Sequence, residues 1–158
     1  MLKYYNAMVV FEEIPDEITL AINITNCPCH CVGCHSKFLW EDVGIELTTD
    51  VLDDLLIKNK GITCVCFMGG DADPEGIQYL ASYILERCNN LSVAWYSGKD
   101  NFYEGIEWEL FKYVKIGHYD EKYGSLDKET TNQRLYKVEI ENNEKNLIDI
   151  TSKFWKKH

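Results

Sequence analysis

The sequence predicts a single α/β domain over residues 1–158, in which parallel strands alternate with helices. Three observations favour this class. A near-continuous apolar run at 62–68 is typical of a strand that is covered on both faces. Apolar residues at helical spacing over 77–88 predict an amphipathic helix after it. A second apolar run at 91–96 completes the strand–helix–strand order of a right-handed parallel crossover.

The bulk properties are those of one acidic globular domain. The length of 158 residues suits a single domain, and no linker rich in Pro, Gly or Ser divides it. The net charge of −10 repels phosphate backbones, so we expect no nucleic-acid partner. No apolar run approaches the length of a bilayer span and the N-terminus lacks a signal-peptide core, so we expect no membrane contact. The expected location is the cytoplasm, where thiols stay reduced.

The elements before the parallel unit are a strand pair and a helix. The apolar segment 8–11 predicts an added N-terminal strand, and alternation over 18–25 predicts the next strand. Thr49 and Asp50 are expected to cap a helix that Gly61 ends.

The elements after the parallel unit are expected to end in a hairpin. A further helix is predicted around 108–111 and a further strand over 113–116. Two strand-like segments, 134–140 and 147–150, are joined by the polar stretch 141–146 and predict a C-terminal β-hairpin.

Three polar or glycine-containing segments follow predicted parallel strands. They are the cysteine-rich loop 27–35, the run Gly69-Gly70-Asp71, and the pair Ser97-Gly98. Chemistry gathers at the carboxyl ends of parallel strands, so these segments are the candidate site.

The cysteine loop predicts a four-iron four-sulfur cluster. The chain has seven cysteines, and Cys27, Cys31 and Cys34 form a C-x3-C-x2-C motif. Thiolates are the standard ligands of iron–sulfur clusters, and a cubane normally takes four. Three ligands from one loop leave one iron open, which is the arrangement of a metal site that does chemistry.

Other interpretations of the cysteines remain open at this point. Cys27, Cys29, Cys31 and Cys34 together could hold a tetrahedral zinc, although ligands one residue apart are cramped. The segment 31–35 also matches the c-type haem pattern, which requires an exported chain. Cys29 could also replace Cys27 in the ligand set.

The remaining cysteines are expected to be core residues. They are Cys64, Cys66 and Cys88, which lie in apolar stripes of a predicted strand and a predicted helix.

The cysteine motif followed by Gly69-Gly70-Asp71 resembles the radical S-adenosylmethionine superfamily. Within it, the chain is most similar to the activating enzymes of anaerobic ribonucleoside-triphosphate reductase. The short chain, the segment 33–40 and the segment Thr130–Leu135 carry this closer resemblance. Two positions depart from the common pattern: Gly33 stands where many members have an aromatic residue, and Asp71 stands where many have glutamate.

The resemblance implies both a fold and a function. The fold is an incomplete parallel (β/α) barrel with an added N-terminal strand and a C-terminal hairpin. The function is reductive cleavage of S-adenosylmethionine to a 5′-deoxyadenosyl radical, which then generates a glycyl radical on the anaerobic reductase. The implied cofactors are the 4Fe-4S cluster and S-adenosylmethionine, and the implied electron donor is a flavodoxin or ferredoxin. No catalytic residue beyond the cluster is expected, because the cofactor carries the hard step.

The resemblance also implies roles for the residues around the cluster. Gly69 and Gly70 would let the backbone approach the bound methionine, and Asp71 would help to hold its ammonium group. The alternative for Asp71 is a turn or helix-capping role. His35 would lie against the adenine, and Ser97 would meet the ribose or the carboxylate.

Two other functions are compatible with the same motifs. The chain could be a radical S-adenosylmethionine enzyme that acts on a different glycyl-radical enzyme or on a small molecule. It could also be a non-catalytic zinc or iron–sulfur module. The segment Asn132-Gln133-Arg134 could either brace the mouth of the barrel or contact the partner.

Overall fold

The computed structural model describes residues 2–25 and 43–155. Within these residues, eight strands form one mixed sheet and two helices join them. The strands are β1 Lys3–Val10, β2 Thr19–Ile24, β3 Ile45–Glu46, β4 Cys64–Met68, β5 Ser92–Tyr96, β6 Tyr113–Ile116, β7 Arg134–Glu141 and β8 Glu144–Asp149. The helices are α1 Thr49–Lys58 and α2 Pro74–Arg87.

The sheet has a parallel centre and antiparallel edges. Its order is β3-β1-β2-β4-β5-β6-β7-β8, and β2, β4, β5 and β6 are parallel. Asn23 pairs with Met68, which pairs with Tyr96, so three strands end at one level of the sheet. The loops that follow β2, β4 and β5 therefore leave from the same edge.

The edges contain the two added elements that the sequence predicts. β1 pairs antiparallel with β2, and β7 pairs antiparallel with β8 in a hairpin. All eight strands belong to one sheet, although an incomplete barrel stays a prediction.

Each helix begins at a side-chain cap. The Thr48 hydroxyl accepts a hydrogen bond from the Val51 amide at 3.2 Å, so the cap of α1 lies one residue before the predicted pair. Asp73 caps α2 by accepting from the Gly76 amide at 3.1 Å, and Pro74 occupies the first turn. Proline suits that position because its missing N–H would have no partner there.

The helices and the loops cover opposite faces of the sheet. One cluster joins Val65, Phe67, Val93 and Trp95 to the apolar stripes of both helices. The other joins Cys64, Cys66, Ala94, Tyr96, Tyr113 and Leu135 to loop residues such as Ile14 and Ile150. We call this second side the loop-covered face.

The expected helix around 108–111 is only a 3₁₀ turn, Trp108–Leu110. The Glu107 amide, which precedes it, bonds the side chain of Gln78 on α2. Trp108 packs edge-on against Phe102, with ring centroids 4.9 Å apart. These tertiary contacts outweigh the local helical pattern.

No helix among residues 2–25 and 43–155 is both long and apolar enough to cross a membrane.

Candidate functional site

The four most distinctive predicted site residues lie outside the described part of the chain. They are Cys27, Cys31, Cys34 and His35; Cys29 and Trp40 lie outside it as well. The strands on either side of residues 26–42 in the sequence, β2 and β3, both pair with β1. Ile24 and Ile45 each lie opposite Tyr4, and the Thr25 amide donates to the Lys3 carbonyl at 2.9 Å.

Gly69 and Gly70 follow β4 at this edge and both have positive φ, +107° and +91°. A Cβ on Gly69 would lie 3.3 Å from the Ile24 carbonyl oxygen, and a Cβ on Gly70 would lie 2.5 Å from Cδ1 of Ile77. The fold itself therefore requires glycine at both positions. Their predicted role beside a bound methionine stays a prediction.

The backbone of Gly69 is held by β5. Its amide donates to the Tyr96 carbonyl at 2.9 Å, and its carbonyl accepts from the Trp95 indole at 2.8 Å. The end of β4 therefore keeps a defined position relative to the end of β5.

Asp71 and Ser97, predicted as two separate site residues, are in direct contact. The Ser97 hydroxyl donates to Oδ1 of Asp71 at 2.5 Å, and the Gly98 amide donates to Oδ2 at 2.9 Å. Both side chains are buried. The carboxylate thus links the loop after β4 to the loop after β5. The capping alternative for Asp71 is wrong, because Asp73 caps α2.

A cleft of about 660 Å³ opens beside this pair. Asp71 and Ser97 contribute to its wall, together with the segment Gly98–Tyr103, Pro74, Trp95 and His118. The cleft therefore combines buried carboxylate and hydroxyl groups with three aromatic side chains, which is a typical composition for a small-molecule site.

A histidine–aspartate pair lies on the rim of this cleft. Nδ1 of His118 is 2.7 Å from Oδ1 of Asp100, and the His118 amide donates to the same oxygen at 3.1 Å. These hydrogen bonds lower the pKa of the Asp100 carboxyl. The Asn132 amide group donates to the His118 carbonyl at 3.1 Å and so holds the turn that carries the histidine.

A second cavity, of about 470 Å³, lies on the loop-covered face. Met68, Tyr96, Lys115 and Gln133 contribute to it from four neighbouring strands or their ends. Lys115 and Gln133 are each only 7% exposed. Glu12 and Glu13 add acidic groups to its wall, and burial followed by the charge of Glu12 raises the pKa of Glu13.

The interpretation of Cys64 and Cys66 as core residues is confirmed, since both are fully buried. Burial raises the pKa of the Cys64 thiol to about 12 and that of Cys66 well above its usual range. Within residues 2–25 and 43–155, no group of three or more His, Cys, Asp or Glu side chains is placed to hold a metal ion. Cys88 is only half-buried and forms the C-cap of α2, so it does not continue the buried stripe.

Several residues of these cavities escaped the sequence analysis. Lys115 stands in an apolar strand, and His118 and Asp100 follow strand ends. Ser97 was predicted because it follows the carboxyl end of a parallel strand, and the same criterion would have selected Asp100 and His118. A lysine inside a buried strand was a further signal, because lysine is almost never fully buried without partners.

Comparison with known families decides the class of cofactor. A family model described as a 4Fe-4S single cluster domain matches residues 18–147. The chain belongs to the 4Fe-4S single cluster domain family. This member of the family is therefore an iron–sulfur protein, as the cysteine motif predicts. No curated protein and no solved structure matches the chain.

Proposed function

We propose that this iron–sulfur protein is a radical S-adenosylmethionine activase that generates a glycyl radical on anaerobic ribonucleotide reductase. The observation that carries the proposal is that β2, β4 and β5 end at one edge of the sheet, so that the segments following these strands leave from the same edge. The cysteine motif comes after β2, Gly69-Gly70-Asp71 after β4 and Ser97-Gly98 after β5, and the last two are bonded to each other. This is the order that the resemblance to the activating enzymes requires.

The donor set suits the cofactors that the proposal needs. Cys27, Cys31 and Cys34 would supply three thiolates, which is one fewer than a cubane takes. S-adenosylmethionine would occupy the remaining iron through its amino and carboxylate groups. When bound, the reduced cluster would supply the electron that cleaves the C5′–S bond.

The described residues would bind and orient the substrate. Asp71 lines the cleft, and the Ser97 hydroxyl and the Gly98 amide hold its buried carboxylate in place. Its negative charge would attract the N–H groups of the methionine's amino nitrogen. His35 would lie against the adenine.

The hydrogen bonds of Ser97 favour one of its two predicted ligands. Its hydroxyl hydrogen is donated to Asp71, and its oxygen accepts from the Lys99 amide at 3.1 Å. The remaining lone pair accepts but cannot donate. A ribose hydroxyl, which donates, is therefore a better partner for Ser97 than a carboxylate.

The loop-covered face is the proposed entry for the glycine-bearing loop of the reductase. It carries the cavity of about 470 Å³ and lies opposite the two helices. Hydrogen exchange of the complex should show protection at 10–14 and 119–127. Protection confined to α1 and α2 would contradict this entry side.

The decisive experiment is an anaerobic mixture of the reconstituted, reduced protein, S-adenosylmethionine and anaerobic ribonucleotide reductase. We expect 5′-deoxyadenosine and the electron paramagnetic resonance doublet of a carbon-centred glycyl radical. A flavodoxin or ferredoxin would replace the chemical reductant in a second arm. Omission of S-adenosylmethionine is the control and should abolish both products.

The two products test different parts of the proposal. Formation of 5′-deoxyadenosine without the doublet would reject the reductase as the partner, and another glycyl-radical enzyme or a small molecule would replace it. A bound cluster that leaves S-adenosylmethionine intact would reject the whole proposal and favour a non-catalytic iron–sulfur module.

A further inference from the structure

A buried lysine connects the carboxyl ends of two central strands. Nζ of Lys115, on β6, donates to the Ser97 carbonyl at 3.1 Å and to the Gly117 carbonyl at 2.9 Å. The residue is 7% exposed. Long cationic side chains rarely reach this burial, so a lysine here calls for a specific reason.

The Gly117 carbonyl is also held from β7. Nε2 of Gln133 donates to the same oxygen at 3.3 Å. Gly117 has a φ of +104°, and a Cβ there would lie 2.9 Å from Cα of Gln133. The end of β6 and the start of β7 therefore pack backbone against backbone, with the lysine and the glutamine on one acceptor.

The Ser97 carbonyl belongs to the same residue whose hydroxyl bonds Asp71. A continuous chain of hydrogen bonds therefore runs from Gln133 through Gly117, Lys115 and Ser97 to Asp71. It crosses the ends of β7, β6, β5 and β4. A displacement of the Lys115 ammonium would therefore move Ser97 directly, because the ammonium donates a hydrogen bond to the Ser97 carbonyl.

We infer that Lys115 is a positioning residue, which fixes the Asp71–Ser97 pair so that it binds S-adenosylmethionine. The inference rests on the proposed function, in that the ligand of the pair is the one proposed there. Lys115 acts through Ser97 and needs no contact with the ligand.

The test compares Lys115→Met with Lys115→Arg in the full-length, reconstituted chain. Methionine keeps the length but loses the donors, and arginine keeps donors on a charged group. At metal sites, loss of an outer-shell hydrogen-bond partner typically lowers metal affinity or activity by about 10–100-fold, and we take the lower end of this range as the guide here. We expect S-adenosylmethionine to dissociate with a Kd roughly tenfold higher for Lys115→Met, with partial recovery for Lys115→Arg and an unchanged iron content.

Amide exchange gives a readout that needs no ligand. The Gly98 amide bonds Asp71, so in Lys115→Met it should exchange at least about tenfold faster. The matched control is Lys112→Met, since Lys112 lies immediately before β6, at the end away from the site, and binds Glu17. It should lower global stability but leave Gly98 exchange unchanged after correction for that loss.

The outcomes separate this inference from the proposed function. Gly98 exchange and Kd that both stay at the wild-type values in folded Lys115→Met would overturn the positioning role. If wild-type protein fails to bind S-adenosylmethionine, the proposed function fails, and Gly98 exchange still decides whether the lysine holds the pair. If Lys115→Met does not fold, Gln133→Met removes a donor from the same acceptor and should give a smaller change of the same sign.

Discussion

At the scale of single residues, Asp71 carries the most information about the site. It is buried, and its two oxygens accept hydrogen bonds from the loop after β5. A nearby aspartate, Asp73, performs the helix-capping task. The two aspartates stand two positions apart, and the same change to asparagine at each position distinguishes the role of one from the role of the other.

We expect Asp71→Asn to abolish binding of S-adenosylmethionine and Asp73→Asn to leave it nearly unchanged. The side-chain amide of the Asp71→Asn variant would lack the negative charge that attracts the N–H groups of the methionine's amino nitrogen, and its own nitrogen would face a hydrogen-bond donor, the Ser97 hydroxyl or the Gly98 amide. Asparagine caps helices about as well as aspartate, so the second substitution should cost only a few tenths of a kcal/mol. Equilibrium dialysis and urea unfolding measure the two effects. Equal affinities for the two variants would exclude the ligand role of Asp71.

Glu17 makes stability depend on pH. It lies at the amino ends of the strands, is 9% exposed, and accepts hydrogen bonds from Lys112, Thr63 and Tyr113 at 2.8–2.9 Å. Burial alone would raise the pKa of its carboxyl, but the three hydrogen bonds and the charge of Lys112 lower it overall.

The lowered pKa of Glu17 has a definite sign for stability. Its contribution is complete above the ordinary glutamate pKa of about 4.3, and it is lost as the pH falls through the lower pKa of the folded state. We expect Glu17→Gln to cost about 2 kcal/mol at pH 7 and progressively less below about pH 4. Urea unfolding across this range measures the difference, with the exposed Glu129→Gln as control. If the loss of stability in Glu17→Gln instead grew as the pH fell, the pKa of Glu17 would not be lowered in the folded state.

At the scale of elements, the loop between β4 and α2 sets the position of the candidate site. Gly70 is placed by the strand before it and by Ile77 of the helix after it. Gly61 has a similar backbone angle, φ +95°, but a Cβ there would meet nothing within 4 Å. A comparison of Gly70 with Gly61 therefore separates the cost of a steric clash with Ile77 from the cost of placing a side chain at positive φ.

We expect Gly70→Ala to destabilise the protein more than Gly61→Ala. Both substitutions place an L-residue at positive φ, which costs about 1–2 kcal/mol. Gly70→Ala must also displace Ile77, which adds roughly 1–3 kcal/mol. Denaturant unfolding of the two variants gives the difference directly. Similar losses would mean that Ile77 moves aside at little cost.

The elements near the site were more predictable than those away from it. Apolar runs and caps located the parallel strands and both helices to within a few residues, because these patterns are local. The helix predicted around 108–111 was wrong, because contacts with Gln78 and Phe102, which lie elsewhere in the sequence, determine the conformation of this region. The Asp71–Ser97 contact could be expected only in outline, because strand register is a long-range property that no short pattern encodes.

At the scale of the whole molecule, the iron content tests which cysteines hold the cluster. The wild-type chain should bind about four irons after anaerobic reconstitution. We expect serine at Cys27, Cys31 or Cys34 to reduce this strongly, whereas Cys29→Ser should keep it. Cys88→Ser is the control, since Cys88 lies outside the cysteine loop, at the C-terminal end of α2. Iron retained by Cys27→Ser but lost by Cys29→Ser would mean that Cys29 replaces Cys27 as a ligand of the cluster.

The sheet is held by polar contacts at both of its ends. Glu17 joins the amino ends of the central strands, and Lys115 joins the carboxyl ends. No side chain that bonds Glu17 also bonds Lys115 among the contacts described above. Substitutions at the two ends should therefore have independent effects on unfolding, because distant sites without shared partners are additive.

The hydrogen bond between Asp71 and Ser97 has a consequence for the rate and the entropy of ligand binding. The groups that face an incoming molecule already hold each other, so their rotamers are fixed before any encounter. Little ordering entropy then remains to be lost on association, and the bimolecular step need not wait for a loop to rearrange.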